Sequence, residues 1–398
     1  MSRRILHLGL GNFHRAHQAW YTQNAGDGWN ITGVSLRSPN IRDALAPHGY
    51  DYTLAIRDAG GERLEKMTVL EDILFAKEQS EQVLEAIAKA DLITLTITEK
   101  GYCLGPDNRL NKSHPEIEQD LSGELTSAIG YLAHGLARRD TPVTVMSCDN
   151  LSANGHALES ALREFAALAS LDLPVGLTFP STMVDRITPA TTPALSTHIA
   201  ALGLPDAAPV ETETFSEWVI EDTFAGPRPA WEKAGAQIVK DAAPFELRKL
   251  RLLNGAHSAL AYAGLLKGYD YVHEAIADPD LRAMVEGIFT EASKTLPSAV
   301  ETLSYRAALL SRFENPNLHH KLRQIAMDGT QKLPVRLLGT IHDLGGDAPN
   351  CRKGVAAWID FALSEHAAGR ALDDPRAGDI TKACPEPQAL AKLIGYTG

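Results

Sequence analysis

The stretch Gly9-Leu10-Gly11-Asn12-Phe13-His14 constrains this chain more than any other, because it joins the strand candidate Ile5–Leu10 to a segment of helical period, Phe13–Asn24. Two glycines at such a junction let the backbone turn tightly and come close to a bound group. A pyrophosphate suits that place, since the N-terminus of the following helix favours its charge. The third glycine of a G-x-G-x-x-G pattern is absent, and His14 stands in its position. Glycine pairs after strands also make plain tight turns. The position of this one, at the first strand–helix junction, is what favours dinucleotide binding.

The remainder of the first half fits that beginning. Ile31–Leu36 reads as a second strand, Tyr52–Ile56 and Leu64–Val69 as extended segments joined by a turn, and Glu81–Ala90 as a helix. The strand Leu92–Thr98, a longer helix over Asp120–Arg139 and the strand Val143–Ser147 follow. Such alternation predicts an α/β fold, a Rossmann-type parallel sheet domain, over residues 1–243. From residue 244 the texture changes to long segments of helical period (Phe245–Leu266, Leu281–Leu296, Leu318–Met327, Leu333–Leu344, Val355–Ala367), which predict a mainly α-helical domain over 244–398. Two domains also suit a chain of 398 residues, which is longer than one core usually grows. The intervening stretch 175–240 carries Pro and Thr clusters and no readable period.

Composition narrows the function. A net charge of −12 argues against a partner with a phosphate backbone, because nucleic-acid binders carry clustered positive charge. The four cysteines are dispersed, without a C-x-x-C pair, which suits free thiols in a reducing compartment better than disulfides or a zinc site. No apolar run approaches the roughly 18–20 residues that span a bilayer, and no apolar stretch follows Arg3-Arg4 as in a signal peptide. The expectation is a cytoplasmic protein with no membrane and no nucleic-acid partner.

A carboxylate at the end of the second strand would favour NAD, and an arginine the 2′-phosphate of NADP. Here that strand runs into Leu36-Arg37-Ser38-Pro39-Asn40, with Arg37 and no acid. Arg37 also suits a solvated surface, so the pattern leaves both cofactors open. In the second half, Phe245–Leu260 holds a polar stripe. At about 100° per residue, with Lys249 at zero, Glu246 falls at about 60°, His257 at about 80° and Asn254 at about 140°. Arg248 and Arg251 fall on the opposite side and mark the expected wet face. A lysine held among leucines has its charged form disfavoured and becomes a useful general base. Asn254 and His257 offer hydrogen bonds to a carbonyl oxygen as charge develops on it. By spacing alone, the same stripe also fits an amphipathic helix with ordinary surface Lys and His.

The spacing Lys249…Asn254…His257, K-x4-N-x2-H, resembles the catalytic signature of the polyol-specific long-chain dehydrogenases, the mannitol dehydrogenase family. Gly9-Leu-Gly-Asn-Phe-His-Arg-Ala-His-Gln18 is similar to that family's cofactor turn, His included. Colinear matches follow at Thr98-Glu-Lys-Gly-Tyr102, Ser147-Cys-Asp-Asn150, Met183-Val-Asp-Arg-Ile-Thr-Pro189, Trp218-Val-Ile-Glu-Asp222 and Met327-Asp-Gly-Thr-Gln-Lys-Leu-Pro334. The resemblance implies an NAD-dependent, metal-independent oxidoreductase, with the substrate in a cleft between the domains. Lys249 matches the general base, Asn150 and Asn254 the pair that cradles the reacting oxygen, and His257 a residue that orients the substrate. Glu246 matches a carboxylate that gates proton exchange with solvent. Gly9, Gly11, Asn12, Phe13, Arg37, Glu99 and Asp185 fall in the cofactor-binding regions, with NADP not excluded.

Lys100 in Thr98–Tyr102 and the run Arg323–Pro334 lean towards the uronate-reducing, fructuronate reductase branch. There, Lys100 or Lys332 meets a substrate carboxylate. That branch implies interconversion of D-fructuronate and D-mannonate. The alternatives within the family are D-mannitol with D-fructose, D-arabinitol, and tagaturonate. Members are commonly longer, which implies an abbreviated C-terminal region, and the resemblance suggests a monomer. Other pairings carry less. His14 and His17 suit a structural or cofactor-facing role better than a metal, Cys148 reads as packing, and Trp218 and Trp231 read as core aromatics. His319-His320 reads as a partly exposed helix face.

Overall fold

A parallel sheet whose strands are buried on both faces needs nearly continuous apolar runs, and the first half of the chain supplies them. The computed structural model describes residues 3–105, 107–204, 206–318 and 320–397. The chain divides into two compact units, Met1–Arg57 with Glu62–Ala243, and Pro244–Gly398 with the hairpin tip Asp58–Gly61.

In the first unit the strands are β1 (Arg3–Leu8), β2 (Trp29–Ser35), β3 (Tyr52–Asp58), β4 (Gly61–Met67), β5 (Leu70–Phe75), β6 (Leu92–Leu95), β7 (Val145–Ser147), β8 (Thr182–Asp185), β9 (Val210–Glu213), β10 (Glu217–Glu221) and β11 (Gln237–Val239). Five of them form a parallel sheet in the order β5-β2-β1-β6-β7, with β1 at the centre. This is the doubly wound arrangement, and its order reverses beside β1, where such folds bind ligands. Two further sheets, β11-β10-β8 and β4-β3-β9, organise the stretch that showed no period. Trp218 on β10 and Trp231 are fully buried with ring centroids 4.6 Å apart, so both are core aromatics as expected.

In this unit two helices differ from the sequence reading. The segment after the glycine turn breaks at His17 into Asn12–Ala16 and Gln18–Ala25. The long helix over 120–139 is two, Pro115–Leu121 and Ala128–Leu136. The second break has a visible cause. Asp120 turns its carboxylate onto the backbone N–H groups of Thr126 and Ser127 and onto the Ser127 hydroxyl, while Ser127 caps the next helix at Gly130. A side-chain oxygen that satisfies orphan N–H groups starts a new helix and ends the old one.

The second unit is built around the helix Gly255–Leu266, against which Pro349–Ala367 packs. The two backbones approach closely because small residues face each other: a Cβ on Gly354 would lie 2.8 Å from the Cβ of Ala259. Among the described residues of 318–327, the helix is the short Leu322–Ile325. His320 precedes it outside any helix, which corrects the helix-face expectation, and His319 lies outside the described residues. No helix among the described residues is long and apolar enough to cross a membrane.

Beneath the glycine turn, His7 on β1 and His14 are both fully buried and stack with ring centroids 3.4 Å apart. Burial holds His7 down at about 3 and His14 well below its usual value, so both are neutral. The unfolded chain takes up protons near pH 6.5 that the folded chain refuses. Stability is therefore complete above that pH and falls as pH drops below it, by up to about 1.4 kcal/mol per pH unit for each histidine. Urea unfolding between pH 6.5 and 4.5 is expected to show a steeper acid loss for the wild type than for His14→Gln. Equal slopes would contradict it.

Candidate active site

The turn after β1 admits glycine only. Gly9 has φ +93°, and a Cβ there would lie 2.1 Å from the carbonyl oxygen of Thr96. The same Thr96 donates its hydroxyl to the Gly9 carbonyl at 2.8 Å and meets Nε2 of His7 at 2.8 Å. Gly11, by contrast, is exposed, and a Cβ there would meet nothing nearer than 3.9 Å. The backbone is thus pinned from below and open above, a cradle that fits the phosphates of a dinucleotide. Gly9, Gly11, Arg37, Ser38, Thr96 and Glu116 line the cavity over it.

Other residues expected near the cofactor have defined places in this unit. Asn12 reaches the hydroxyl of Thr191 at 3.0 Å and accepts from Arg15 at 2.7 Å, and Phe13 stacks on His17 at 5.0 Å. Neither lines the cavity over the turn. Arg37 is paired with Glu116. Glu99 and Lys100 are exposed at the start of the turn Glu99–Tyr102, and Asn150 is exposed after β7. Asp185 is buried at the end of β8, opposite Glu217 on β10. Asp149, which sequence reasoning passed over, holds these loops together. It accepts from the backbone N–H groups of Ile97 and Thr98, both at 2.9 Å, and from the Tyr102 hydroxyl at 2.8 Å. Cys148 is buried beside it, and burial pushes its thiol well above the usual range, which suits packing and not nucleophilic attack.

In the second unit the polar stripe lies on a helix that is not regular. Ala243–Lys249 is α-helical, Leu250–Asn254 is a π-helical turn, and α-helix resumes at Gly255. A turn bonded i→i+5 winds more slowly, at roughly 82° per residue, and so takes about 90° off the regular-helix angles beyond it. Asn254 moves to about 50° and His257 to about −10° from Lys249, so that Glu246, Lys249, Asn254 and His257 share an arc of about 70°. Glu246 is half-buried, and Lys249 and His257 are 8% and 7% exposed. The arginines expected on the wet face are also buried, Arg248 at 5% and Arg251 at 8%. Arg248 lies over the Tyr305 ring at 4.1 Å and donates to the Glu301 carbonyl at 3.1 Å, while Arg251 pairs with Asp343 at 2.6 Å. Partners distant in sequence neutralise the cost of burying them.

His257 is clamped. Its ring stacks on Phe313 at 4.4 Å and meets His320 edge-on at 5.3 Å. Burial, then His320, Arg312, Arg336 and Lys249, hold it well below its usual value, so it is a neutral imidazole. Among the described residues its Nε2 has no hydrogen-bond partner. A buried polar atom left without a partner is costly unless something binds it. Phe313, His320, Arg312 and Arg336 lay beyond sequence reasoning, since no spacing links them to His257. Lys332 pairs with Asp328 at 3.3 Å. One group of metal-type donors, Cys103, His114 and Glu116, lies within 4.8 Å among the described residues. Its members are engaged otherwise: His114 Nδ1 accepts from the Glu116 N–H at 3.3 Å, Glu116 holds Arg37, and burial pushes the Cys103 thiol up to about 12.

Comparison with known proteins matches residues 3–233 to the family model "Mannitol dehydrogenase Rossmann domain" and residues 241–394 to "Mannitol dehydrogenase C-terminal domain". The chain is 38% identical over 431 aligned residues to the D-mannonate oxidoreductase of Escherichia coli K12, covering 100% of this chain and 89% of that protein. It is 37% identical to a mannitol 2-dehydrogenase of Pyrenophora tritici-repentis, covering 99% and 76%. A solved Pseudomonas fluorescens mannitol 2-dehydrogenase, a ternary complex with NAD and D-mannitol, superposes with a TM-score of 0.85 at 33% identity, covering 99% of this chain and 86% of that one.

The clamp has a direct spectroscopic consequence. In imidazole NMR spectra of the whole chain, His257 is expected to titrate well below the ordinary histidine range, and a resonance that titrates near pH 6.5 would contradict the buried, cation-flanked environment.

Proposed function

The chain belongs to the mannitol dehydrogenase family, and from that premise we propose that it interconverts D-fructuronate and D-mannonate with NAD(H), without a metal. It is an oxidoreductase acting on CH–OH groups, with NAD as cofactor. One observation carries the choice of a sugar acid. Burial first, and then His320, Arg312, Arg336 and Lys249, keep His257 uncharged, so three cationic side chains act on the place where the oxygen would bind. A uronate brings a carboxylate that such cationic side chains can meet, and a polyol does not. Similarity over the full chain to a D-mannonate oxidoreductase supports the same reading.

Bound NAD(H) supplies or accepts the hydride. In the reducing direction Lys249 gives its ammonium proton to the ketone oxygen as negative charge develops there, and in oxidation the neutral amine takes the alcohol's proton. The amide of Asn254 and the unpartnered Nε2 of His257 donate hydrogen bonds to that oxygen and stabilise it, and the family resemblance assigns Asn150 the same part. Glu246, on the same arc as Lys249, passes protons between the lysine and solvent. Lys332, steadied by Asp328, and Lys100 are the residues assigned to the substrate carboxylate. The four cysteines, all free thiols, fit an enzyme of the reducing cytoplasm. A second reading, oxidation of D-mannitol to D-fructose, is favoured by the near-equal identity to mannitol 2-dehydrogenases.

NADH consumption with D-fructuronate, D-tagaturonate and D-fructose separates these. The expected kcat/KM for D-fructuronate exceeds that for D-fructose by about 10- to 150-fold, since a charge-assisted contact contributes roughly 1.5–3 kcal/mol. Preference for D-fructose would overturn the sugar-acid assignment in favour of the second reading. The rates are expected to survive EDTA. Replacing Lys249 by Ala is expected to lower kcat by about 10²–10⁴-fold while leaving NADH binding within about twofold. A variant with wild-type turnover would remove Lys249 from the chemistry.

A further inference from the structure

In a doubly wound nucleotide-binding fold, the residue that reads the adenosine ribose ordinarily ends the second strand. A carboxylate there accepts a hydrogen bond from the 2′-hydroxyl and repels a 2′-phosphate, and an arginine there does the reverse. Here β2 ends at Ser35 and continues Leu36-Arg37-Ser38, so position alone offers a cation for a 2′-phosphate and no acid for the 2′-hydroxyl, and leaves both cofactors open. The structure alters that conclusion. Glu116, on the helix Pro115–Leu121, lines the same cavity as Gly9, Gly11, Ser38 and Arg37, and its carboxylate grips the Arg37 guanidinium.

We propose that Glu116 supplies, from a different element and 79 residues along the chain from Arg37, the carboxylate that makes this site select NAD over NADP. Three features support the assignment. First, the acid is the better-enclosed partner: its side chain is 18% exposed, against 68% for Arg37. Second, its backbone is held in place, because His114 caps the helix by accepting the Glu116 N–H. Third, the guanidinium is already occupied. A 2′-phosphate would have to displace a carboxylate from Arg37 and then remain beside it, which like-charge repulsion opposes. A ribose 2′-hydroxyl needs only to donate to the acid. Cys103, whose thiol lies within 4.8 Å of the Glu116 carboxylate, adds no competing charge, because burial keeps it protonated. The inference rests on dinucleotide binding at this cavity and not on which sugar acid is reduced.

Calorimetric titration of the whole chain with ADP and with 2′,5′-ADP tests it without any substrate, and NADH and NADPH kinetics provide a second readout. The wild type is expected to bind ADP at least about tenfold more tightly than 2′,5′-ADP. Replacing Glu116 by Gln is expected to shift that ratio by about tenfold or more towards 2′,5′-ADP, and NADPH use should rise in parallel. Replacing Arg37 by Gln is expected to keep the preference for ADP. The double replacement should lose most of the gain made by Glu116→Gln, because the released guanidinium contributes more to phosphate binding than the loss of repulsion alone. A Glu116→Gln ratio within about twofold of the wild type would overturn the proposal. So would a gain that persists largely intact in the double variant. Absence of ADP binding in the wild type would overturn it too, by removing the nucleotide from this cavity, while the sugar-acid assignment would still stand or fall on its own assay.

Discussion

A helix that bonds i→i+5 for one turn winds more slowly than the helix on either side of it, and here that slower turn lies between Lys249 and Asn254. In a regular helix Asn254 would sit about 140° from Lys249, nearly on the opposite face. The π turn brings it round, and with it His257, so that an acid, a base and two hydrogen-bond donors occupy one strip of surface. The turn is supported by its neighbours. A second π turn, Pro334–Leu338, packs against it and begins with a proline that has no N–H to give to a regular helix. Gly255 lets the two come together: a Cβ there would lie 3.1 Å from the carbonyl oxygen of Arg336. Arg336 in turn donates to the Ser258 hydroxyl at 3.1 Å.

From that geometry follows an electrostatic division of labour. His257 is neutral because it is buried and because cations face it, so it acts as a fixed hydrogen-bond donor and leaves the proton traffic to Lys249. The Phe313 stack and the His320 edge hold its ring in one orientation, which lowers the reorganisation needed as charge forms on the substrate oxygen. In the first unit the same logic appears in another form. The stacked His7 and His14 are kept neutral by burial, and His7 orients Thr96 beneath the Gly9 carbonyl.

Much of this was legible in the residues. The glycine turn, the alternation of strand and helix, and K-x4-N-x2-H mark a nucleotide-binding sheet, a helical half and a polar stripe. What was not legible depends on partners distant in sequence. Arg248 and Arg251 looked solvated because Tyr305 and Asp343, which make their burial tolerable, lie far along the chain. Helical arithmetic at a constant angle cannot anticipate a π turn, so it placed Asn254 too far from Lys249. The strands β8 to β11 escaped notice because they are short, interrupted by proline and threonine, and paired with partners that no local period reveals. Arg37 suits a phosphate by its place in the sequence, but Glu116, 79 residues away, already holds it.

Catalysis here depends most on Lys249 as the group that moves the proton. Chemical rescue measures that role directly: Lys249→Ala is assayed for D-mannonate oxidation in the presence of increasing methylamine, with NAD binding checked by titration. Lys249→Ala is expected to bind NAD normally, to be nearly inactive alone, and to regain rate in proportion to free amine. A folded, NAD-binding variant that oxidises D-mannonate at the wild-type rate, or that no amine accelerates, would contradict it.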